Sequence, residues 1–212
     1  MSKLPDIDIH EILAGKWQDG TRPKDLYDIH ISRSPDEFLK AIIYGLGAEK
    51  RKVQSGCAEL ASLLSEDRPD LLYPYLDHFI ENLTSKAPVL RWEAVCCLGN
   101  LASVDKRFSI PATIETIVSF LNDKSIVLQV HSVRALGKIA RAYPEAARNI
   151  LDQLMRHRGS FPGNRIGFVI ETMEYFKDIP EVKEDIREFV MEYMDNDIRV
   201  VASKARKTMM SL

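Results

Sequence analysis

Leu128, Ser132, Ala135, Leu136 and Ile139 stand at offsets 0, 4, 7, 8 and 11, which at about 100° per residue gathers them on one stripe of a helix. The same offsets pick out Val53, Cys57, Leu60, Ala61 and Leu64, and then Leu90, Ala94, Cys97, Leu98 and Leu101. Leu90 follows Val53 by 37 residues and Leu128 follows Leu90 by 38; a further 38 reaches Ile166, with Ile170 and Met173 behind it. That copy is degenerate, because Glu174 and Lys177 occupy its last two positions. A fifth stripe is anchored at Ile198, 32 residues on, and runs through Ala202, Ala205 and Met209, with Arg206 in place of an apolar residue. A charge there suits a terminal helix with no following neighbour to cover it.

A second apolar segment precedes each stripe: PDEFLKAIIYGLG, PDLLYPYLDHFIENL, IPATIETIVSFLND, PEAARNILDQLMRH and IPEVKEDIREFVMEYMDN. Pro35, Pro69, Pro111, Pro144 and Pro180 suit a first helical turn, where no amide hydrogen is needed. Asp36, Asp70, Glu145 and Glu181 complement the positive end of the helix dipole. Polar joints such as NDKS at 122–125 and DND at 195–197 separate the paired segments. Each repeat is therefore predicted to be a helical hairpin, and no strand pattern competes after residue 34. A lone hairpin cannot bury its stripe, so neighbours must stack.

Helix pairs at this period, with a small residue at offset 4 or 7 and a Leu-Gly pair near offset 8, resemble HEAT repeats. The resemblance covers residues 35–212 and is most specific in PDLLYPYLDHFIENLTSKAPVLRWEAVCCLGNLA, with Pro74 inside the first helix and Leu90, Arg91, Ala94, Leu98 and Gly99 in the second. The third repeat keeps Leu136 and Gly137 but has Gln129 for the arginine; the fourth has neither Arg nor Gly. The resemblance implies an all-α, armadillo-like α-solenoid of about five stacked hairpins. It also implies a noncatalytic interaction scaffold whose second helices line a concave surface for a protein partner. Residues 1–34 do not follow the period; Ile7, Ile9, Ile12, Leu13 and Trp17 are expected to cap the first repeat, and QDGTRPKD to form a mobile loop.

Composition narrows the picture. The chain has 212 residues, 45% of them hydrophobic and 28% charged, enough to bury a core, and its net charge of -2 excludes a globally basic nucleic-acid binder. Cys57, Cys96 and Cys97 have neither disulfide nor zinc spacing, which fits a reducing cytoplasm. Acidic residues interrupt the N-terminal segment where a signal peptide needs an apolar run, and no stretch has the length of a membrane span. A cytoplasmic protein with no membrane partner is the expectation.

Candidate chemistry is sparse. His10, His30, His78, His131 and His157 have no spacing that puts two on one turn beside a carboxylate, so no metal site is expected. HEAT-like deoxyhypusine hydroxylases carry repeated His-Glu pairs for iron; here only His10-Glu11 has that form, outside the repeats. HEAT-like alkylpurine DNA glycosylases need a carboxylate beside aromatic residues on a cationic concave face. Trp92 with Glu93 is the one such pair, and Trp92 aligns at offset 2 with Val130, Phe168 and Val200 in a ladder expected to pack against the first helices. No phosphate-binding loop, nucleophile elbow or dinucleotide turn occurs. RGSFPGNRIG, with Arg156, His157, Arg158 and Arg165 in or beside it, reads as a solvated cationic turn, and Cys96 has nothing cationic assured beside it to activate its thiol. No catalytic residue and no cofactor follow from the sequence.

The feature that calls for an explanation is cationic. His131, Arg134, Lys138 and Arg141 share the helix face opposite the apolar stripe, and in the last repeat Lys204 and Lys207 fall at offsets 6 and 9. Such a face is ordinarily a solvated surface. Its functional reading is a surface for an acidic protein partner, with a nucleic-acid backbone as the alternative, and Arg134 as the best anchor because its fork grips carboxylate or phosphate bidentately. The sequence sets no oligomeric state.

Overall fold

The structure, a computed structural model, describes residues 9–15 and 22–212. Ile7, Trp17 and the first part of QDGTRPKD lie outside the described residues. Among the described residues every regular element is helical, and by its contacts the chain divides into two compact units, Met1–Cys97 and Leu98–Leu212.

In the first unit, α1 (Ile9–Gly15) and α2 (Pro23–His30) precede the hairpin of α3 (Pro35–Leu46) and α4 (Arg51–Asp67). Pro23, Lys24 and Asp25, expected in a mobile loop, form the first turn of α2, because Pro23 presets the backbone and the Asp25 carboxylate accepts from the Arg22 amide at 2.8 Å. Both α1 and α2 pack against α4 and bury Ile9, Leu13, Leu26 and Tyr27, while Ile12 is half-buried. The Tyr27 hydroxyl donates to Asp67 at 2.6 Å. The next first helix is broken into α5 (Pro69–Leu72), a 3₁₀ turn Tyr73–Tyr75 and α6 (Leu76–Asn82), since Pro74 has no amide hydrogen for a continuous helix. Its partner, α7 (Pro88–Leu101), contains the division between the units.

In the second unit, α8 (Ile114–Ser119), flanked by 3₁₀ turns, pairs with α9 (Ile126–Ala142), and α10 (Pro144–Arg156), which packs on α9, is followed by α11 (Ile166–Thr172). The last pair is α12 (Lys183–Met191) with α13 (Arg199–Ser211). Pro35, Pro69, Pro111, Pro144 and Pro180 all open helical turns as expected. Asp105 ties the segment after α7 to the end of α9: its carboxylate accepts from the Ile110 amide at 2.8 Å and the Tyr143 hydroxyl at 2.7 Å.

The stripes of α4, α7 and α9 are buried at all five positions. Two later stripes differ from their sequence phase. After Thr172 the chain tightens into a 3₁₀ turn, Met173–Phe176, where residues three apart eclipse, so Phe176 turns inward beneath Met173 and Lys177 turns out. In the last repeat Asn196 accepts from the Ile198 amide at 3.0 Å, and α13 starts at Arg199. Ile198 is therefore an exposed cap residue, 39% accessible, and Val201, fully buried, is the true anchor, followed by Ala205 and Thr208. Val200 is exposed for the same reason, so the expected offset-2 ladder does not extend to it.

Successive second helices approach so closely that glycine is required at the contact. A Cβ on Gly99 would lie 2.8 Å from the Ala135 Cα, and one on Gly137 would lie 2.5 Å from Thr172 Cγ2 and 2.7 Å from Tyr175 Cδ2. Leu136→Ala, which empties a fully buried site, should lower stability by roughly 2–5 kcal/mol in thermal or denaturant unfolding. Gly99→Ala should also lower the melting temperature, by a net loss on the order of 1 kcal/mol, although alanine is the better helix former. A melting temperature at or above that of the parent would show that the α7–α9 contact is looser than described.

Candidate functional site

The sequence-selected cations divide between two sides of α9. Arg134 and Arg141, two turns apart, are exposed and lean toward the following repeat: the Arg134 guanidinium carbon lies 5.5 Å from the centre of the Phe168 ring, and that of Arg141 lies 5.2 Å from the Tyr175 ring. Lys138 is half-buried and donates to the Asn100 side chain, toward the preceding repeat. His131 is half-buried, and burial, with Arg134 and Lys138 beside it, holds its imidazole below the ordinary value. It adds no charge at neutral pH.

With Val201 as anchor, Lys204 and Lys207 take offsets 3 and 6, the places of His131 and Arg134 in α9. Lys204 is held at three points: its stem crosses Gly167, its ammonium lies 4.7 Å from the centre of the Phe168 ring, and it pairs with Glu171 at 2.9 Å. Phe168, expected to pack against the first helices, is half-buried between two cations instead. The reason is its place early in α11, on the side that meets Arg134 from one neighbour and Lys204 from the other.

These side chains surround a groove of about 400 Å³, lined by Arg134 and Arg141 from α9, Lys204 and Lys207 from α13, and Glu171, Glu174, Tyr175 and Lys177 between them. Five cations thus face two carboxylates, one of them already paired with Lys204. No described carboxylate lies within ion-pair distance of Arg134, Arg141, Lys177 or Lys207. Four of the six sequence candidates line this groove; His131 and Lys138 do not. The sequence reading missed Glu174 and Lys177 because the 3₁₀ turn after Thr172 shifts their facing, and Glu171, which lies within α11, because its place in the groove is set by Lys204 of the following repeat.

The other candidates are dispersed. In and beside RGSFPGNRIG, Arg158 pairs with Glu192 at 3.1 Å, Arg165 donates to Gln129 at 3.3 Å, and Phe161 is buried, so the segment is partly packed rather than a free cationic turn. His10 Nε2 donates to the Ala41 carbonyl at 2.7 Å. Cys57 and Cys97 are buried and their thiols are pushed up, Cys57 to about 12. Among the described residues no group of three or more His, Cys, Asp or Glu is placed to hold a metal ion, and no helix is long and apolar enough to cross a membrane.

In the first unit the Trp92 indole donates to Glu93 at 3.1 Å. Burial raises the Glu93 carboxyl from 4.5 to about 7, Glu59 adds to the rise, and hydrogen bonds from Ser62 and Trp92 oppose it.

The fold is shared with solved repeat proteins. Two engineered proteins from the Northeast Structural Genomics Consortium superpose with TM-scores of 0.58 and 0.57 at 16% and 18% identity; the match covers 97% and 96% of this chain and 96% and 88% of theirs. A designed armadillo repeat protein superposes with a TM-score of 0.59 at 14% identity over 99% of this chain and 100% of its own. No family model matches the sequence, and no curated protein matches it significantly. The fold is an all-α, armadillo-like helical-repeat solenoid.

A carboxyl whose value is raised by folding is stabilised in its protonated form, so Glu93 favours the fold below pH 4.5 and this contribution is lost as pH rises through about 7. Glu93→Gln should remove that decline and be the more stable form above pH 7, by on the order of 2 kcal/mol. Melting temperatures of parent and variant that run parallel from pH 4 to pH 8 would contradict the assignment.

Proposed function

We propose that the protein is a noncatalytic HEAT-type interaction scaffold. Its partner is a protein, held on a concave surface that the second helices form, with the groove between α9 and α13 as the contact region. The observation that carries this reading is the set of cations in that groove. Arg134, Arg141, Lys177 and Lys207 remain without a described counter-ion, while elsewhere in the second unit Arg148, Arg158 and Arg206 each have one. Cations left uncompensated in a concave site raise the local concentration of an anionic partner and select it over others. Helix pairs, rather than triplets, support the HEAT type within the armadillo-like class. Packing of α1 and α2 on α4 supports residues 1–34 as a cap on a repeat domain of residues 35–212. The location proposed is cytoplasmic.

The second reading, a nucleic-acid-binding and glycosylase-like solenoid, rests on the cationic groove and on the aromatic–carboxyl pair Trp92 and Glu93. Glu93 is already engaged by Trp92 and Ser62 and is raised toward its neutral form, which favours a structural role.

A photo-crosslinking residue in place of Lys207 tests the scaffold reading, with one in place of Asn149 on α10 as control. Illumination in native cell extract should give protein adducts from the Lys207 site that survive nuclease and are absent from the control. Adducts that disappear with nuclease would transfer the assignment to nucleic acid.

A further inference from the structure

The groove has a mixed lining, and the mixture restricts what fits. A phosphate backbone repeats a negative charge at every step and has few hydrogen-bond donors, so Glu171 and Glu174 would oppose it wherever it passed. An extended peptide alternates: its acidic side chains carry the negative charge, and its backbone supplies an N–H at nearly every residue. The carboxylates that repel a polyanion are the acceptors such a backbone needs, and Glu171 retains lone pairs beyond those used by Lys204. Arg134 and Arg141 lie over the Phe168 and Tyr175 rings, so their side chains are held near the groove before a ligand arrives and less freedom is lost on gripping a carboxylate. Their separation along α9 is about 10.5 Å at 1.5 Å per residue. Acidic residues three apart in an extended polyproline-like segment are separated by about 9.3 Å on one edge. The volume of about 400 Å³ is that of a binding cleft for a short segment rather than a flat contact.

We infer that the groove is the seat of an extended acidic peptide segment. Arg134 and Arg141 grip two of its carboxylates, and Glu171 and Glu174 accept from its backbone N–H groups. Lys204, locked by Glu171 and Phe168, shapes the wall, while Lys177 and Lys207 supply long-range attraction. The inference rests on the scaffold reading and gives its partner a chemistry.

The test uses the full chain and fluorescein-labelled probes in polarisation titrations. One peptide has Glu at every third position among Ser and Ala, a second replaces each Glu by Gln, and a third keeps Glu but carries N-methylated backbone amides; a single-stranded oligothymidylate of matched charge is the fourth probe. The Glu peptide should bind, weakening as salt rises, and the Gln and N-methylated peptides should bind at least about tenfold more weakly. Arg134→Gln and Arg141→Gln should each cost about tenfold in affinity for the Glu peptide, and Arg141→Lys nearly as much, with unchanged helical circular dichroism. An oligothymidylate that binds as well as the Glu peptide, or an N-methylated peptide that binds equally, would show that the groove reads negative charge alone and would overturn the inference. Failure of all four probes, with nuclease-resistant adducts still formed from the Lys207 site, would remove the peptide inference and leave the scaffold reading standing.

Discussion

The second unit depends on how closely its second helices approach one another. Glycine at 99 and 137 lets Ala135, then Thr172 with Tyr175, come within a distance that a Cβ would block, and Gly167 leaves room for the Lys204 stem to cross. Each stripe is then covered by the next helix, and Ala135, Leu136, Ile139, Met173 and Phe176 are removed from water together. The hydrophobic gain is realised only at that spacing, because a void or a wedge at one contact loosens the neighbouring stripes as well.

The same approach builds the groove. Tyr175 is pressed against α9 at Gly137 and so lies within reach of Arg141; Lys204 crosses α11 at Gly167 and so lies over Phe168 and beside Glu171. Contact with rings holds Arg134 and Arg141 over the neighbouring helix, where a counter-ion beside each would neutralise them. Charge is in this way displayed without being spent on the fold, at a small cost because the heads stay in water while their stems cover apolar surface.

Much of this was legible in the sequence, and the failures have physical causes. The stripes of α4, α7 and α9 could be read because long helices hold one period from end to end. The fourth stripe slipped because a 3₁₀ turn advances 120° per residue, and nothing in MEYF distinguishes that turn from α-helix. The fifth slipped because Ile198 and Val201 are equally apolar, and only the Asn196 side chain, bonding to the Ile198 amide, decides which of them is inside. Arg134, Arg141, Lys204 and Lys207 could be selected because a face of one helix is a property of its own sequence. Phe168, Tyr175 and Glu174 could not, because their role depends on which side of α9 the next repeat covers. The split of Lys138 from Arg134 and Arg141 has the same origin, since Lys138 donates to Asn100 in the preceding repeat.

Arg134 and the ring beneath it belong to different repeats, as do Arg141 with Tyr175 and Lys204 with Phe168. The heritable unit of this surface is therefore the junction between repeats rather than the repeat itself. Recombination that joins whole hairpins end to end would preserve every helix and every buried stripe, yet separate each cation from its platform. Crossovers placed in the turn between the two helices of a hairpin would carry α9 with α10, or α11 with α12, and would still part α9 from α11. A graft that transfers the groove to another solenoid must accordingly span α9 through α13 as one cassette, and lengthening the protein by added repeats would leave the recognition surface unchanged in size.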